Sequence, residues 1–85
     1  MKRFRFTISL RDARKAQDLL NSERGLREHL DQVSTNVWES EEYNEDESGE
    51  ILDEDYANEC LEDWHFEIAS FFNDHNIEFT SEYFN

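Results

Sequence analysis

The fixed charges of this 85-residue chain are separated along the sequence, and this separation constrains how the chain can fold. Every Lys and Arg lies at or before Arg27, and the first 27 residues hold eight cations and three carboxylates, a net charge of +5 (8 − 3). Residues 28–85 hold the other nineteen carboxylates (22 − 3) and no Lys or Arg, a net charge of −19. Such polarity within one small domain predicts two faces of opposite charge.

Length and composition indicate one folded domain spanning residues 1–85, with no room for a cofactor cavity beside its core. Aromatic residues make up 14% of the chain, which argues against a disordered acidic tail. Cys60 is the single cysteine, so the chain forms no internal disulfide and suits a reducing cytoplasm. No apolar run approaches the roughly 20 residues of a membrane span, and residues 1–6 do not resemble a signal peptide. We expect a cytoplasmic protein without a cofactor.

The basic part of the chain predicts a strand followed by a helical region. Residues 2–10 alternate between apolar and polar side chains, which is typical of a half-buried strand. Asp12 is placed to cap a helix that runs through Leu20, and a break or a second helical start is expected within residues 21–25. The apolar stripe continues at spacings of four and three residues through Leu26, Leu30 and Val33. The helical region is expected to end at residues 34–36.

The acidic part predicts a strand at residues 37–43, a short returning strand at 50–52, and a long helix. The helix runs from Asp53, which with its neighbours is the candidate N-cap, to about His75 and carries a broad apolar stripe. The stripe consists of Ala57, Cys60, Leu61, Trp64, Ile68, Phe71 and Phe72. Residues 77–80 begin a final strand that could extend to residue 84.

This element order predicts an α+β fold in which two main helices cover one face of an antiparallel sheet of three or four strands. A ferredoxin-like βαββαβ arrangement fits the order.

The carboxylates of residues 39–63 are the candidate partner-binding surface. The candidate side chains form one row before the long helix and one on it: Glu39, Glu41, Glu42, Glu45, Asp46, Glu47 and Glu50, then Asp55, Glu59, Glu62 and Asp63. At a rise of about 1.5 Å per residue the helix carries roughly one carboxylate per 4 Å, close to the phosphate spacing of about 3.4 Å along one DNA strand. A merely solvated acidic face is the alternative. Solubility alone, however, needs a net charge of only about 2–8 in magnitude.

Phe66 lies opposite the apolar stripe of the helix, among these carboxylates, when residues are placed at 100° intervals. A ring at this position is a candidate anchor for a protein partner, because aromatic residues are enriched in interface cores. The alternative is that a loop or the first helical region covers the ring.

The acidic segment 44–55 resembles the calcium loop of the EF-hand family. Asn44, Asp46, Ser48 and Asp55 would be its side-chain ligands. Two of them depart from the usual pattern, because Asn44 stands where Asp is usual and Asp55 stands where a bidentate Glu is usual. Calcium binding is therefore a weaker alternative.

No nucleophile, phosphate-binding loop or zinc-ligand spacing is recognisable, and we expect no enzymatic activity. Cys60 falls in the apolar stripe, which predicts a buried, inert thiol. The acidic majority of the chain would repel nucleic acid and anionic membranes, so a basic protein is the expected partner.

In size, acidity, aromatic content and charge polarity the chain resembles the small DNA-mimic inhibitors of phages and mobile elements, which include antirestriction and anti-CRISPR proteins. The resemblance implies a non-catalytic inhibitor that occupies the DNA-binding cleft of a CRISPR effector, restriction enzyme or similar protein in the host cytoplasm. Alternatives are a generic acidic adaptor or chaperone for a basic protein, and adaptation to high salt.

Overall fold

A computed structural model of the protein describes residues 3–40 and 53–84. The elements in chain order are β1 (Arg3–Ile8), α1 (Ala13–Ser22), α2 (Arg24–Arg27), β2 (Leu30–Ser34), β3 (Val37–Ser40), α3 (Glu54–Asp74) and β4 (Phe79–Phe84). The predicted strand at residues 50–52 lies outside the described residues.

The four strands form one antiparallel sheet in the order β2-β3-β1-β4. β1 lies between β3 and β4 and is antiparallel to both, and β3 is antiparallel to β2. β1 and β2 are therefore parallel to each other with β3 between them, which is the split βαβ order of the ferredoxin-like arrangement. The predicted α+β class is confirmed, and the described ranges contain three helices, of which the long α3 packs against the sheet.

Strand alternation gives the sheet a buried face and an open face. Along β1 the side chains of Phe4, Phe6 and Ile8 are buried, and the side chains between them are partly exposed. Trp38 lies opposite Phe6 in the register and is also fully buried. Because successive side chains of a strand point to opposite faces, the charged residues of β1 lie on the open face.

Both main helices cover the buried face of the sheet. Ala16 and Leu20 of α1 belong to the same core cluster as Leu61, Ile68 and Phe72 of α3, and this cluster includes the buried side chains of β1. The apolar stripe predicted for α3 is therefore the surface that packs on the sheet, as an amphipathic helix requires.

The prediction of helix through residues 26–33 is wrong after α2. Leu30 begins an edge strand and is buried, whereas Val33 is 53% exposed. The spacing of the apolar residues suits either state, and pairing with β3 through a turn at residues 35–36 stabilises the strand. The strand predicted at residues 37–43 is β3, whose described part ends at Ser40.

Neither predicted N-cap forms a capping hydrogen bond through its side chain. Asp12 and Asp53 occupy the N-cap positions of α1 and α3, but neither carboxylate accepts a bond from its own helix. The carboxylate of Asp12 instead accepts a 2.9 Å bond from the backbone N–H of Glu78, just before β4. A tertiary contact thus takes the place of a local one.

A Schellman motif ends α3 at the predicted position. Asn76 has a φ of 57°, in the left-handed region that Asn tolerates better than most residues. The backbone N–H of Ile77 donates to the carbonyl of Phe72 at 2.9 Å, and that of Asn76 donates to the carbonyl of Asn73 at 3.1 Å. These bonds satisfy two of the last helix carbonyls and turn the chain toward β4.

Candidate partner-binding surface

The outward side of α3 carries the described members of the predicted acidic surface other than Glu39. We call it the acidic face of α3 and define it by its exposed residues: Asp55, Glu59, Glu62, Asp63, Phe66 and Glu67. The opposite side of the helix packs on the sheet through Ala57, Leu61, Ile68 and Phe72, which are at most 3% exposed. The 3.6-residue period of the helix thus separates a charged side from an apolar one.

The carboxylates of this face have no cation beside them on their own helix. α3 contains no Lys or Arg, so the helix carries no permanently charged cation beside them. Over residues 3–40 and 53–84, the ion pairs involve acids of other elements, and Asp55, Glu59, Asp63 and Glu67 form none with another described residue. Like charges at i, i+4 spacing, such as Glu59 and Asp63, repel each other and destabilise the helix.

Arg5 of β1 pairs with two carboxylates on the open face of the sheet. Its Nε donates to Glu39 Oε2 at 2.7 Å, and its Nη1 donates to Glu82 Oε1 at 2.8 Å. These hydrogen bonds, that to Glu39 most of all, raise the pKa of Arg5 above its ordinary value. The guanidinium also lies 4.4 Å from the ring centroid of Phe84. Opposite charges on the open face of the sheet therefore compensate each other locally.

Three further cations bind groups within the fold. Arg11 Nη2 lies 3.0 Å from Glu78 Oε2. Lys15 Nζ donates to the carbonyl of His75 at 2.6 Å, where a cation complements the negative end of the α3 dipole. Arg27 Nη1 donates to the carbonyl of Leu30 at 2.6 Å, and its guanidinium lies over the ring of Trp38.

Glu39 does not join the acidic face of α3. Trp38 and Ser40 on either side of it are buried toward the helices, so strand alternation places Glu39 on the open face of the sheet. There its carboxylate lies 2.7 Å from Arg5 and 3.8 Å from Arg3, and its side chain is only 15% exposed. The other predicted members of its row lie outside the described residues: Glu41, Glu42, Glu45, Asp46, Glu47 and Glu50.

Phe66 is the most exposed aromatic side chain of the described residues, at 71%. No described loop and no part of α1 covers it, so the buried alternative does not hold. Glu62 and Asp63 lie four and three positions before it and are therefore its neighbours on the helix surface. The helical projection predicted the side of α3 on which Phe66 lies, and the structure decided that no described segment covers it.

Tyr56 is a second exposed ring on α3 that the sequence reasoning did not single out. Its side chain is 53% exposed and lies ten residues before Phe66. At 100° per residue it lies on the flank of the acidic face, close in angle to Asp63 and Glu67. The same helical projection could have identified it.

Cys60 and His65 lie at the margins of the apolar stripe. Cys60 is partly exposed rather than buried, which corrects the prediction of a buried thiol. His65 stacks on Phe6 with ring centroids 5.0 Å apart, and its Nε2 lies 2.9 Å from Ser81 Oγ. These contacts tie α3 to β1 and β4.

The described residues do not test the calcium alternative. Of its four ligands only Asp55 is described, and Asn44, Asp46 and Ser48 lie outside the described residues. Within residues 3–40 and 53–84, no group of three or more His, Cys, Asp or Glu side chains could hold a metal ion. No helix in the same ranges has the length and apolar character needed to cross a membrane.

Comparisons of the chain with protein-family models, with curated proteins and with solved structures find no match.

Proposed function

We propose that the acidic face of α3 binds the basic nucleic-acid-binding surface of another protein, and that the chain is a non-catalytic inhibitor acting as a DNA mimic. The observation that carries the proposal is charge segregation in three dimensions. Arg5 and Arg11 pair with acids of the sheet and its connections, while Asp55, Glu59, Asp63 and Glu67 of α3 are exposed and pair with no described cation.

The rigidity of α3 supports this proposal. Ile68 and Phe72 anchor the helix in the core and are fully buried, so the backbone positions that carry the carboxylates are fixed relative to one another. A preformed helix loses little backbone entropy on binding, whereas a disordered acidic segment must be ordered at that moment. The spacing of charges along the helix axis is comparable to that of phosphates along one DNA strand.

The energetic cost of the array also supports a role in binding. Like charges three and four positions apart weaken the helix, and no cation on α3 offsets them. A basic groove of a nuclease, CRISPR effector or similar protein would supply the missing cations. The inhibitor would then act in the cytoplasm of the cell that contains this target, in the manner of the phage and mobile-element inhibitors that the chain resembles.

The test compares two triple variants of equal charge. One removes three charges from the acidic face, with Glu59→Gln, Glu62→Gln and Asp63→Asn. The matched control removes three exposed acids elsewhere, with Asp18→Asn, Glu23→Gln and Asp31→Asn. Proteins retained from a lysate of the source organism are identified by mass spectrometry at low and moderate salt, and their release by added DNA is measured.

We expect the wild type and the control variant to retain the same basic protein, the acidic-face variant to lose it, and DNA to compete for it. Binding should weaken as salt rises, because ions screen exposed charges beyond about 10 Å at 0.1 M. Equal loss in both variants would instead indicate a generic acidic adaptor that responds to net charge. Retention of the target by the acidic-face variant would contradict the proposal.

A further inference from the structure

Phe66 makes the acidic face of α3 unlike the outside of a DNA duplex. In a duplex the bases are stacked inside and the outer rows present phosphates. A single strand presents phosphates together with unstacked bases, and proteins bind it with a cationic groove and aromatic side chains on which the bases stack. On α3 an aromatic ring that is 71% exposed lies among carboxylates.

The helix geometry sets the ring close to two of these charges. Glu62 and Asp63 lie one turn before Phe66, at about 5–6 Å between Cβ atoms. Long side chains of a helix point back toward its N-terminus, so the ring leans over the turn that carries these carboxylates. Toward the C-terminus, the positions three, four and seven residues after Phe66 on the same side of the helix are neutral: Ala69, Ser70 and Asn73. The ring therefore has charges on one side, as a base has beside its own phosphate.

We propose that the partner of the acidic face is a protein whose groove binds single-stranded nucleic acid, and that Phe66 occupies the place of a stacked base in that groove. This inference rests on the proposed function and names the class of its target. Cations of the groove pair with Glu59 and Asp63, and an aromatic platform of the groove stacks on the ring. A groove that reads only duplex phosphates would offer the ring no such platform.

Two lysine-rich peptides of equal length and charge serve as the first probe. One carries two Trp residues between the lysines, and the other carries Ala at the same positions. Binding to the full chain is measured by titration calorimetry at low salt. We expect the wild type to prefer the Trp peptide roughly 2- to 12-fold, the range of a single aromatic pair.

Three variants separate the ring from the charge. Phe66→Ala should bind the Trp peptide and the Ala peptide about equally. Phe66→Leu should also lose the preference, because Leu keeps an apolar side chain but has no ring. Glu59→Gln should weaken the binding of both peptides by the same factor. Equal binding of both peptides by the wild type, or a preference that survives Phe66→Ala, would overturn the inference while leaving the proposed function standing.

The second measurement shows whether the groove of the partner binds single-stranded or duplex DNA. The basic protein that wild type retains from a lysate is released with oligothymidylate or with duplex DNA at equal phosphate concentration. We expect the single strand to release it and the duplex to be much less effective, and the reverse order would overturn the inference. If the wild type binds the lysine peptides no better than an uncharged peptide of the same length, the proposed function itself fails.

Discussion

The carboxylate of Asp12 and the backbone N–H of Glu78 are joined by a 2.9 Å hydrogen bond across 66 positions of the chain. The bond fixes the start of α1 against the segment that leads into β4. It also lowers the pKa of the Asp12 carboxyl below its ordinary value of 3.8, and the nearby Arg11 contributes in the same direction.

Asp12→Ala should therefore destabilise the fold at pH 7, and the difference from wild type should vanish in acid. Because the folded carboxyl has the lower pKa, the unfolded chain takes up the proton first as the pH falls. The stabilisation is fully present above pH 3.8 and is lost as the pH falls through the lower folded value. Urea unfolding of wild type and variant at several pH values measures it. Asp18→Ala, at an exposed position of α1, is the control, and a difference independent of pH would contradict the assignment.

Ser40 should be required for the pairing of β1 with β3. Its Oγ accepts a 2.9 Å hydrogen bond from the buried backbone N–H of Phe4. Ser40→Ala leaves this donor unsatisfied, which costs about 1–3 kcal/mol of unfolding free energy. Ser34→Ala, on the exposed edge strand, should stay within about 0.5 kcal/mol of wild type. Equal urea midpoints for the two variants would mean that the buried bond contributes nothing.

Asn76→Ala should weaken the end of α3. A side chain other than Asn or Gly in the left-handed region costs roughly 1–2 kcal/mol, and Asn76 has a φ of 57°. Asn76→Gly should be at least as stable as wild type, because Gly adopts this conformation freely. Thermal unfolding of the two variants measures the difference. Similar melting temperatures would show that the motif does not depend on the residue type.

Asp63→Asn should stabilise the fold and weaken partner binding. The change removes two like-charge pairs at i, i+4 spacing, with Glu59 and with Glu67, for a gain of about 0.4–1 kcal/mol at low salt. Because salt screens these pairs, the gain should shrink at 1 M salt. The same change in α1, Asp18→Asn, removes an attractive i, i+4 pair with Arg14 and should not stabilise. Loss of stability in Asp63→Asn would indicate that this carboxylate has a structural role.

Replacement by Ala should destabilise the fold strongly at Phe72 and hardly at all at Phe66, although only six residues separate them on α3. Phe72 is fully buried, so Phe72→Ala should cost about 3–5 kcal/mol. That is a large part of the roughly 4–13 kcal/mol expected for a domain of this size. Phe66→Ala should change the unfolding free energy by less than about 0.5 kcal/mol. If Phe66→Ala unfolds at a much lower urea concentration than the wild type, the ring is part of the core. A loss of binding by this variant would then result from its lower stability.

Periodic segments of the chain were predictable because their signal is local. The alternation of β1 and the apolar stripe of α3 each repeat with the period of one secondary structure, and the structure confirms both. The same projection predicted that Phe66 lies opposite the apolar stripe, but its exposure depended on the packing of distant segments. The strand at residues 30–34 was not predictable in this way, because two apolar residues three positions apart fit either a helix or an irregular edge strand.

The sequence by itself determined an α+β domain with a long amphipathic helix whose outer side is acidic. Only the tertiary structure decided which carboxylates form ion pairs with Lys or Arg. Glu39 and Glu82 form ion pairs with Arg5 because strands far apart in the chain pair in one register. The carboxylate of Asp12 accepts a hydrogen bond from the backbone N–H of Glu78 and not from its own helix. Such contacts depend on where distant segments lie in space, and neither the order of charges nor their local spacing contains that information.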